Sequence, residues 1–222
     1  ALIMHQPDLG TAMLIVFSGL MVMFVAGLLW RIIIAGAIVG VGGALFAYQY
    51  LLHGYQRSRI DTFLGLEDDP LGTGYHVLQS KIAIGSAGLF GRGYLHGTQS
   101  QLDFLPEKHT DFIFTMIVEQ FGIVGGAFVL ALFAALMALS LQVAMRARSL
   151  FGKLVCAGVA ATLASYVFIN TAMVLGLVPV VGVPLPMISF GGTAMTTLMI
   201  GFAIVLSIDL RRDQHGARGL LW

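Results

Sequence analysis

The chain has 222 residues, 58% of them hydrophobic and 10% charged, with 12 basic and 11 acidic side chains. Its mean hydropathy is +0.90. Soluble domains carry about a quarter charged residues, so this composition excludes a disordered segment, a nucleic-acid binder built on a basic patch and an ordinary water-soluble enzyme. A net charge of +1 favours no acidic partner, and the single Cys156 leaves no disulfide framework and no cysteine-based metal site. What remains is an all-α integral membrane protein, one polytopic domain over 1–222.

Spans show as runs of about 20 uncharged apolar residues. The first predicted span covers 9–30 and stops at Arg31; the second covers 32–52 and stops at His53. A third covers 112–142. Leu154 to Ser207 contains no charge, and Pro179, Pro184 and Pro186 divide it into spans over 154–178 and 187–208. The positive-inside rule adds a sixth. Arg146, Arg148 and Lys153 mark one cytoplasmic loop, and Arg211, Arg212 and Arg218 mark a cytoplasmic tail. His53, Arg57 and Arg59 read as another inside loop, so the glycine-rich stretch 73–90, interrupted by Lys81, is expected to cross. This parity puts a large loop, 91–111, outside the cytoplasm and both chain ends inside. The first ten residues lack a basic n-region and hold Asp8, so they do not read as a signal peptide. The sequence opens without Met almost directly into a span, as a piece of a longer protein would.

Thirteen of the charged side chains fall between Arg57 and Glu119. Asp103, Glu107 and Asp111 stand four apart there, with Lys108 and His109 between them, and Pro106 favours a helix beginning near Glu107. One reading is a solvated loop whose acids cap the next helix, since Asp and Glu favour helix N-termini. The other is chemical. A carboxylate at the membrane interface is partly desolvated, which raises its pKa and makes it a better proton acceptor. Asp111 is the best placed, because Phe112, Ile113 and Phe114 follow it into the membrane. Glu119 lies further into the apolar stretch, where it serves either function or a helix-to-helix hydrogen bond.

The glycines at 85, 88, 91 and 93 do not make a phosphate loop, for no Gly-Lys-Ser/Thr ending or preceding strand accompanies them. They read as a close-packed helix end flanked by the cations Lys81 and Arg92, which either meet an anionic headgroup or snorkel. No Ser-His-Asp or His-Glu-x-x-His pattern is present.

Three long stretches resemble a known family. They are Gly-Thr-Gly-Tyr-His-Val-Leu-Gln-Ser-Lys-Ile-Ala-Ile-Gly-Ser (72–86), Gly-Thr-Gln-Ser-Gln-Leu-Asp-Phe-Leu-Pro-Glu-Lys-His-Thr-Asp-Phe-Ile-Phe (97–114) and Pro-Leu-Pro-Met-Ile-Ser-Phe-Gly-Gly-Thr (184–193). With Gln6–Gly10 and Asn170–Ala194, they are similar to the shape, elongation, division and sporulation family, and most like its elongation branch. The resemblance implies a peptidoglycan glycosyltransferase that polymerises lipid II at the outer face of the bacterial cytoplasmic membrane. It also implies that these spans are the C-terminal part of a roughly ten-span fold. The family's essential Asp falls on Asp111. Asp103 matches a position the family fills variously; Ala87 and Phe190 depart mildly, from Gly and Tyr. Implied partners are a class B penicillin-binding transpeptidase, membrane lipids, lipid II and the released undecaprenyl pyrophosphate, with no nucleic acid. That leaving group needs cations or a divalent metal, Mg or Mn, which Asp111 would help to hold; no organic cofactor is implied. A flippase for lipid-linked precursors and a non-catalytic scaffold for the transpeptidase are the rival functions.

Overall fold

The computed structural model describes residues 9–50, 54–65, 73–94, 96–97 and 109–211, and the described residues are helical with irregular connections. Among the described residues seven helices follow in order: α1 Leu9–Val25, α2 Trp30–Tyr50, α3 Gly54–Phe63, α4 Thr73–Ser86, α5 Ile113–Arg146, α6 Leu150–Val174 and α7 Gly192–Arg211. Among the described residues three helices, α5, α6 and α7, are long and apolar enough to cross a membrane, and shorter apolar helices cover Gly10–Val25 and Trp30–Gly40.

α6 is the central helix, with α1, α5 and α7 packed on it. Ser149 caps its start by accepting from the Gly152 N–H at 3.1 Å. Its far end closes on Gly176, where Leu177 N–H donates to Ala172 O at 2.8 Å and Gly176 N–H to Met173 O at 2.9 Å. α1 ends in the same way around Gly27. Leu163, Val167 and Met173 of α6 meet Phe114, Phe133, Leu185 and Leu198 in the main core. A smaller cluster of Ala144, Cys156 and Val205 joins α5, α6 and α7 nearer the other end. α2 packs extensively on no other described helix, and Ile32, Ile34, Ile38 and Val39 are exposed.

α5 is not one rod. Gly122 has φ 75° and ψ −173°, which breaks the helix. On a straight helix residues 114 and 126 would lie about 18 Å apart. Here a Cβ on Gly126 would meet Val118 Cγ2 at 2.7 Å and Phe114 Cζ at 3.4 Å, so the 113–121 piece folds back over the start of the 123–146 piece. The break strands backbone groups on both sides, and the 88–93 segment takes them up. Arg92 and Gly93 N–H donate to Glu119 O and Gln120 O at 3.0 and 3.1 Å, and Ile123 and Val124 N–H donate to Gly88 O and Leu89 O at 3.1 Å each. Such close passage needs glycine on both sides: a Cβ at Gly91 would overlap the Gln120 carbonyl, and one at Gly122 the Leu89 carbonyl.

These contacts define two ends of the bundle and group the segments differently from the charge rule. Gly10 lies against Val181 and Val183, while Val22 lies against Gly158, so α1 runs antiparallel to α6. Gly201 meets Val159 and Gly152 meets Ile208, so α7 is also antiparallel to α6 and ends beside its start. Arg59 Nη1 donates to Val180 O at 3.0 Å, which puts α3 at the same end as the 176–190 turn. The charge rule had put 53–59 and 179–186 at opposite ends. α4 lies wholly at the turn's end: Ser80 donates to Val174 O at 2.8 Å, Lys81 rests on Gly176, and Gly88 meets Ile123. The stretch 73–90 therefore does not join the two ends, and Gly10 and Arg211 lie at opposite ends rather than together.

Candidate active site

Asp111 lies in the turn over 109–112 that leads into the folded-back piece of α5, at the end where the irregular segments gather. It is half-buried and fastened through its backbone. Asn170, fully buried on α6, donates from Nδ2 to Asp111 O and to Val183 O, both at 2.7 Å. Thus one amide joins the Asp111 turn to the 176–190 turn. Ser189 makes a second joint, accepting from Leu185 N–H at 2.8 Å and donating to Thr110 O at 2.5 Å. Phe190 N–H donates to His109 O at 2.9 Å as a third. Val183, Leu185 and Pro186 are buried beneath, so the proline-marked turn is a packed plug and not a loose loop. The Asp111 carboxylate lies beside Gly182, where a Cβ would sit 3.4 Å from Oδ2.

α4 closes the next side. Ser80 Oγ and Thr115 Oγ1 share a 2.6 Å hydrogen bond, fully buried among α4, α5 and α6. Glu119 is also fully buried and stands just before the helix break, with its carbonyl taken by Arg92 N–H. It does not lie progressively deeper in a straight span, as the sequence implied, because the piece carrying it folds back.

The sequence candidates separate into three groups. Asp111 and His109 are in the site, His109 through its carbonyl, with the residue itself exposed. Lys81 lines a cavity of about 190 Å³ with Arg59 and Thr62, whereas Arg92 sits in the segment that plugs the α5 break. Asp103, Glu107 and Lys108 lie outside the described residues. Asn170, Ser189, Ser80 and Arg59 had not been singled out individually. For Asn170 and Ser189 the signal was present as polar residues in mostly apolar surroundings, which must find partners when buried, whereas Ser80 and Arg59 stand among other polar residues.

Among the described residues no three His, Cys, Asp or Glu side chains converge as a metal cage. One carboxylate suits a site completed by the substrate, since Mg²⁺ is commonly held by one or two carboxylates plus substrate phosphates.

The sequence matches the family of cell cycle proteins FtsW, RodA and SpoVE over residues 1–214. It is 51% identical over 211 residues to the peptidoglycan glycosyltransferase MrdB of Escherichia coli strain K12, covering 95% of this chain and 57% of that one. It is 36% identical over 208 residues to the stage V sporulation protein E of Bacillus subtilis strain 168, covering 94% and 56%. Among solved structures, one from work on coordinated polymerization and crosslinking by a peptidoglycan synthase complex matches with a TM-score of 0.77 at 32% identity, covering 96% of this chain and 59% of that one. The rod shape determining protein RodA of Thermus thermophilus matches with a TM-score of 0.58 at 29% identity, covering 93% and 51%. The chain spans little more than half the length of these relatives. It belongs to the FtsW, RodA and SpoVE family of membrane proteins.

Proposed function

We propose that the full-length protein is a peptidoglycan glycosyltransferase that polymerises lipid II during cell-wall elongation, with Asp111 as general base. The observation that carries this is the fastening of the Asp111 turn by Asn170 and Ser189. A base must be held within hydrogen-bond reach of the proton that it takes, and side-chain bonds from two other elements supply that rigidity. In the proposed reaction Asp111 accepts the proton of an acceptor sugar hydroxyl. The oxygen then bonds to the anomeric carbon of the donor sugar as the bond to pyrophosphate breaks, releasing undecaprenyl pyrophosphate. A divalent cation held by Asp111 and the phosphates would neutralise charge on that leaving group.

The two ends of the bundle support a proposed membrane arrangement. α1, α2, the 123–146 piece of α5, α6 and α7 give five crossings. The end with Arg146, Arg148, Lys153 and Arg211 faces the cytoplasm, and the Asp111 end faces the outer leaflet, where a lipid-linked substrate presents its sugars. α2 spans about 32 Å, enough for a hydrocarbon core of about 30 Å. A class B penicillin-binding transpeptidase is the proposed partner, docked on apolar helices of α5 or α6 where small residues such as Gly125 and Gly158 permit close approach.

The test is polymerisation of labelled lipid II by the purified full-length protein with its transpeptidase. Asp111→Asn keeps size and polarity but cannot take a proton, so the rate should fall about 10²–10⁴-fold while folding and partner binding persist. A rate near that of the parent would remove Asp111 from the chemistry. Lipid translocation without any polymerisation would favour the flippase.

A further inference from the structure

The most exposed large apolar side chain among the described residues is not on a helix. It is Phe190, 84% exposed, at the end of the 176–190 turn. The backbone beneath it is held from several sides. Ser189 N–H donates to Leu185 O at 2.9 Å, and the Ser189 hydroxyl accepts from Leu185 N–H at 2.8 Å, which closes the chain over 185–189. Met187 inside that closure has φ 64°, a left-handed conformation uncommon for a residue with a side chain and found where surrounding structure enforces it. Phe190 N–H then donates to His109 O at 2.9 Å, next to the bond from Ser189 to Thr110 O. A strained and firmly bonded turn thus holds an apolar ring outward at the polar end of the bundle. Space is open close by, for a Cβ at Gly192 would meet nothing within 4 Å.

We infer that Phe190 is a sugar-binding platform, its ring stacked against a pyranose ring of the lipid-linked substrate that reacts at Asp111. The inference deepens the proposed polymerase function and rests on it for the presence of sugars. Proximity comes from the backbone. Phe190 is one hydrogen bond from His109, and the two residues from His109 to Asp111 span at most about 7 Å. A sugar whose hydroxyl meets Asp111, or its neighbour in the glycan, is therefore within reach of the Phe190 ring. The chemistry is complementary as well. A pyranose has a less polar face of C–H groups, which the negative face of an aromatic ring attracts, and the contact removes apolar surface from water. Such a platform takes no proton. It binds substrate and transition state alike, so its loss appears in KM, whereas loss of a general base appears in kcat.

The experiment uses the full-length protein with its transpeptidase in nanodiscs and measures lipid II binding alongside polymerisation kinetics. Phe190→Leu keeps an apolar side chain and removes the ring. It should weaken lipid II binding about 2–12-fold, the worth of an aromatic contact, with the loss in KM and not in kcat. Phe190→Tyr, which returns a ring, should recover the affinity. Undecaprenyl phosphate carries the lipid tail without a sugar, and Phe190→Leu should not weaken its binding. Lipid II bound equally by Phe190→Leu and the parent overturns the platform. So does equal weakening toward both ligands, which would make the ring a contact for the lipid tail, and so does loss of the transpeptidase from the Phe190→Leu complex. Asp111→Asn separates the two readings, since it should lose rate while binding lipid II like the parent. A parent-like rate for Asp111→Asn, with Phe190→Leu still weakened toward lipid II, would count against the general base alone. A parent protein that binds no lipid II would overturn both.

Discussion

The two ends of this bundle solve the same problem differently. At the end where α5 turns into α6, helices run to their full length and pack through small residues: Ala144, Cys156, Val205 and Gly152 beneath Ile208. Hydroxyls there bond back into their own helix, as Ser140 does to Leu136 O at 2.9 Å. At the Asp111 end the chain is broken, turned and plugged, and polar side chains reach between elements: Asn170 to Asp111 and Val183, Ser80 to Val174, Arg59 to Val180. In a lipid environment every backbone group must be satisfied within the protein. Regular helix satisfies that demand by itself and offers little chemistry. The irregular end frees carbonyls and amides, and the carbonyls of Asp111, Val174, Val180 and Val183 are taken by specific side chains. The result is a polar, non-helical region held by side-chain bonds between elements.

The largest expected effect separates the ends by access. In a Cys156→Ala background, Gly54→Cys on α3 and Leu150→Cys at the start of α6 carry thiols at opposite ends of the bundle. An impermeant thiol reagent added outside intact cells should label position 54 and leave position 150 unlabelled. Labelling at 150 but not at 54 would invert the membrane arrangement, and equal protection of both would break the five-crossing scheme.

The second concerns the helix break. Gly122→Ala puts a Cβ into the Leu89 carbonyl at φ 75°, and strain of this kind with a backbone overlap costs roughly 2–4 kcal/mol. At the regular end Gly201→Ala meets only Val159 methyls at 3.3–3.4 Å and should change stability by less than about 1 kcal/mol. Denaturant unfolding of the full-length protein, comparing the two variants, checks the difference.

Third comes the amide that joins the two turns. Asn170→Ala leaves Asp111 O and Val183 O without that donor, at a cost of about 1–3 kcal/mol for each buried group left unsatisfied. Its rate of lipid II polymerisation should fall more than its stability alone explains, with the effect in kcat and not in KM. Equal losses of activity and folded fraction would reduce Asn170 to a structural brace.

Much of this was legible beforehand, for identifiable reasons. Asp111 stood out because an acid precedes an apolar helix, and the long motifs around it carried the family. The apolar runs 9–30, 32–52, 154–178 and 187–208 overlap α1, α2, α6 and α7. The charge rule did not anticipate that Arg57 and Arg59 share an end of the bundle with the 176–190 turn, since it counts charges free to face a leaflet. Arg57 is engaged by Asp61 and stacks over Tyr48, and Arg59 holds a carbonyl of the 176–190 turn, so both charges have partners within the protein. The fold-back at Gly122 was hidden because the residues around it remain apolar and helix-compatible, and Gly125 and Gly126 beside it sit within regular helix. Only the partner segment 88–93, distant in sequence, tells the breaking glycine from its neighbours.

The smallest effect sharpens the comparison most cleanly, because it uses one residue type in both regions. Ser80 and Ser140 are both buried serines on helices, and each donates to a carbonyl at 2.8–2.9 Å. Ser140→Ala removes a donor from Leu136 O, a carbonyl four residues back in the same helix, where the Ser140 N–H donates as well; its cost should be below about 0.5 kcal/mol. Ser80→Ala is different in kind. Val174 O lies in the last turn of α6, where helix carbonyls have lost their intrahelical donors, and the same hydroxyl also meets Thr115 Oγ1 at 2.6 Å. Removing it leaves two buried groups seeking partners and severs the joint of α4 with α5 and α6, at about 1–2 kcal/mol. Thr115→Val added to Ser80→Ala should recover part of that loss, since a matched apolar pair leaves no hydroxyl unsatisfied. Ser140→Ala should show no such coupling with Thr115→Val. Equal costs for the two serines, or simple additivity at Ser80 and Thr115, would mean that the Asp111 end is held by packing like its counterpart.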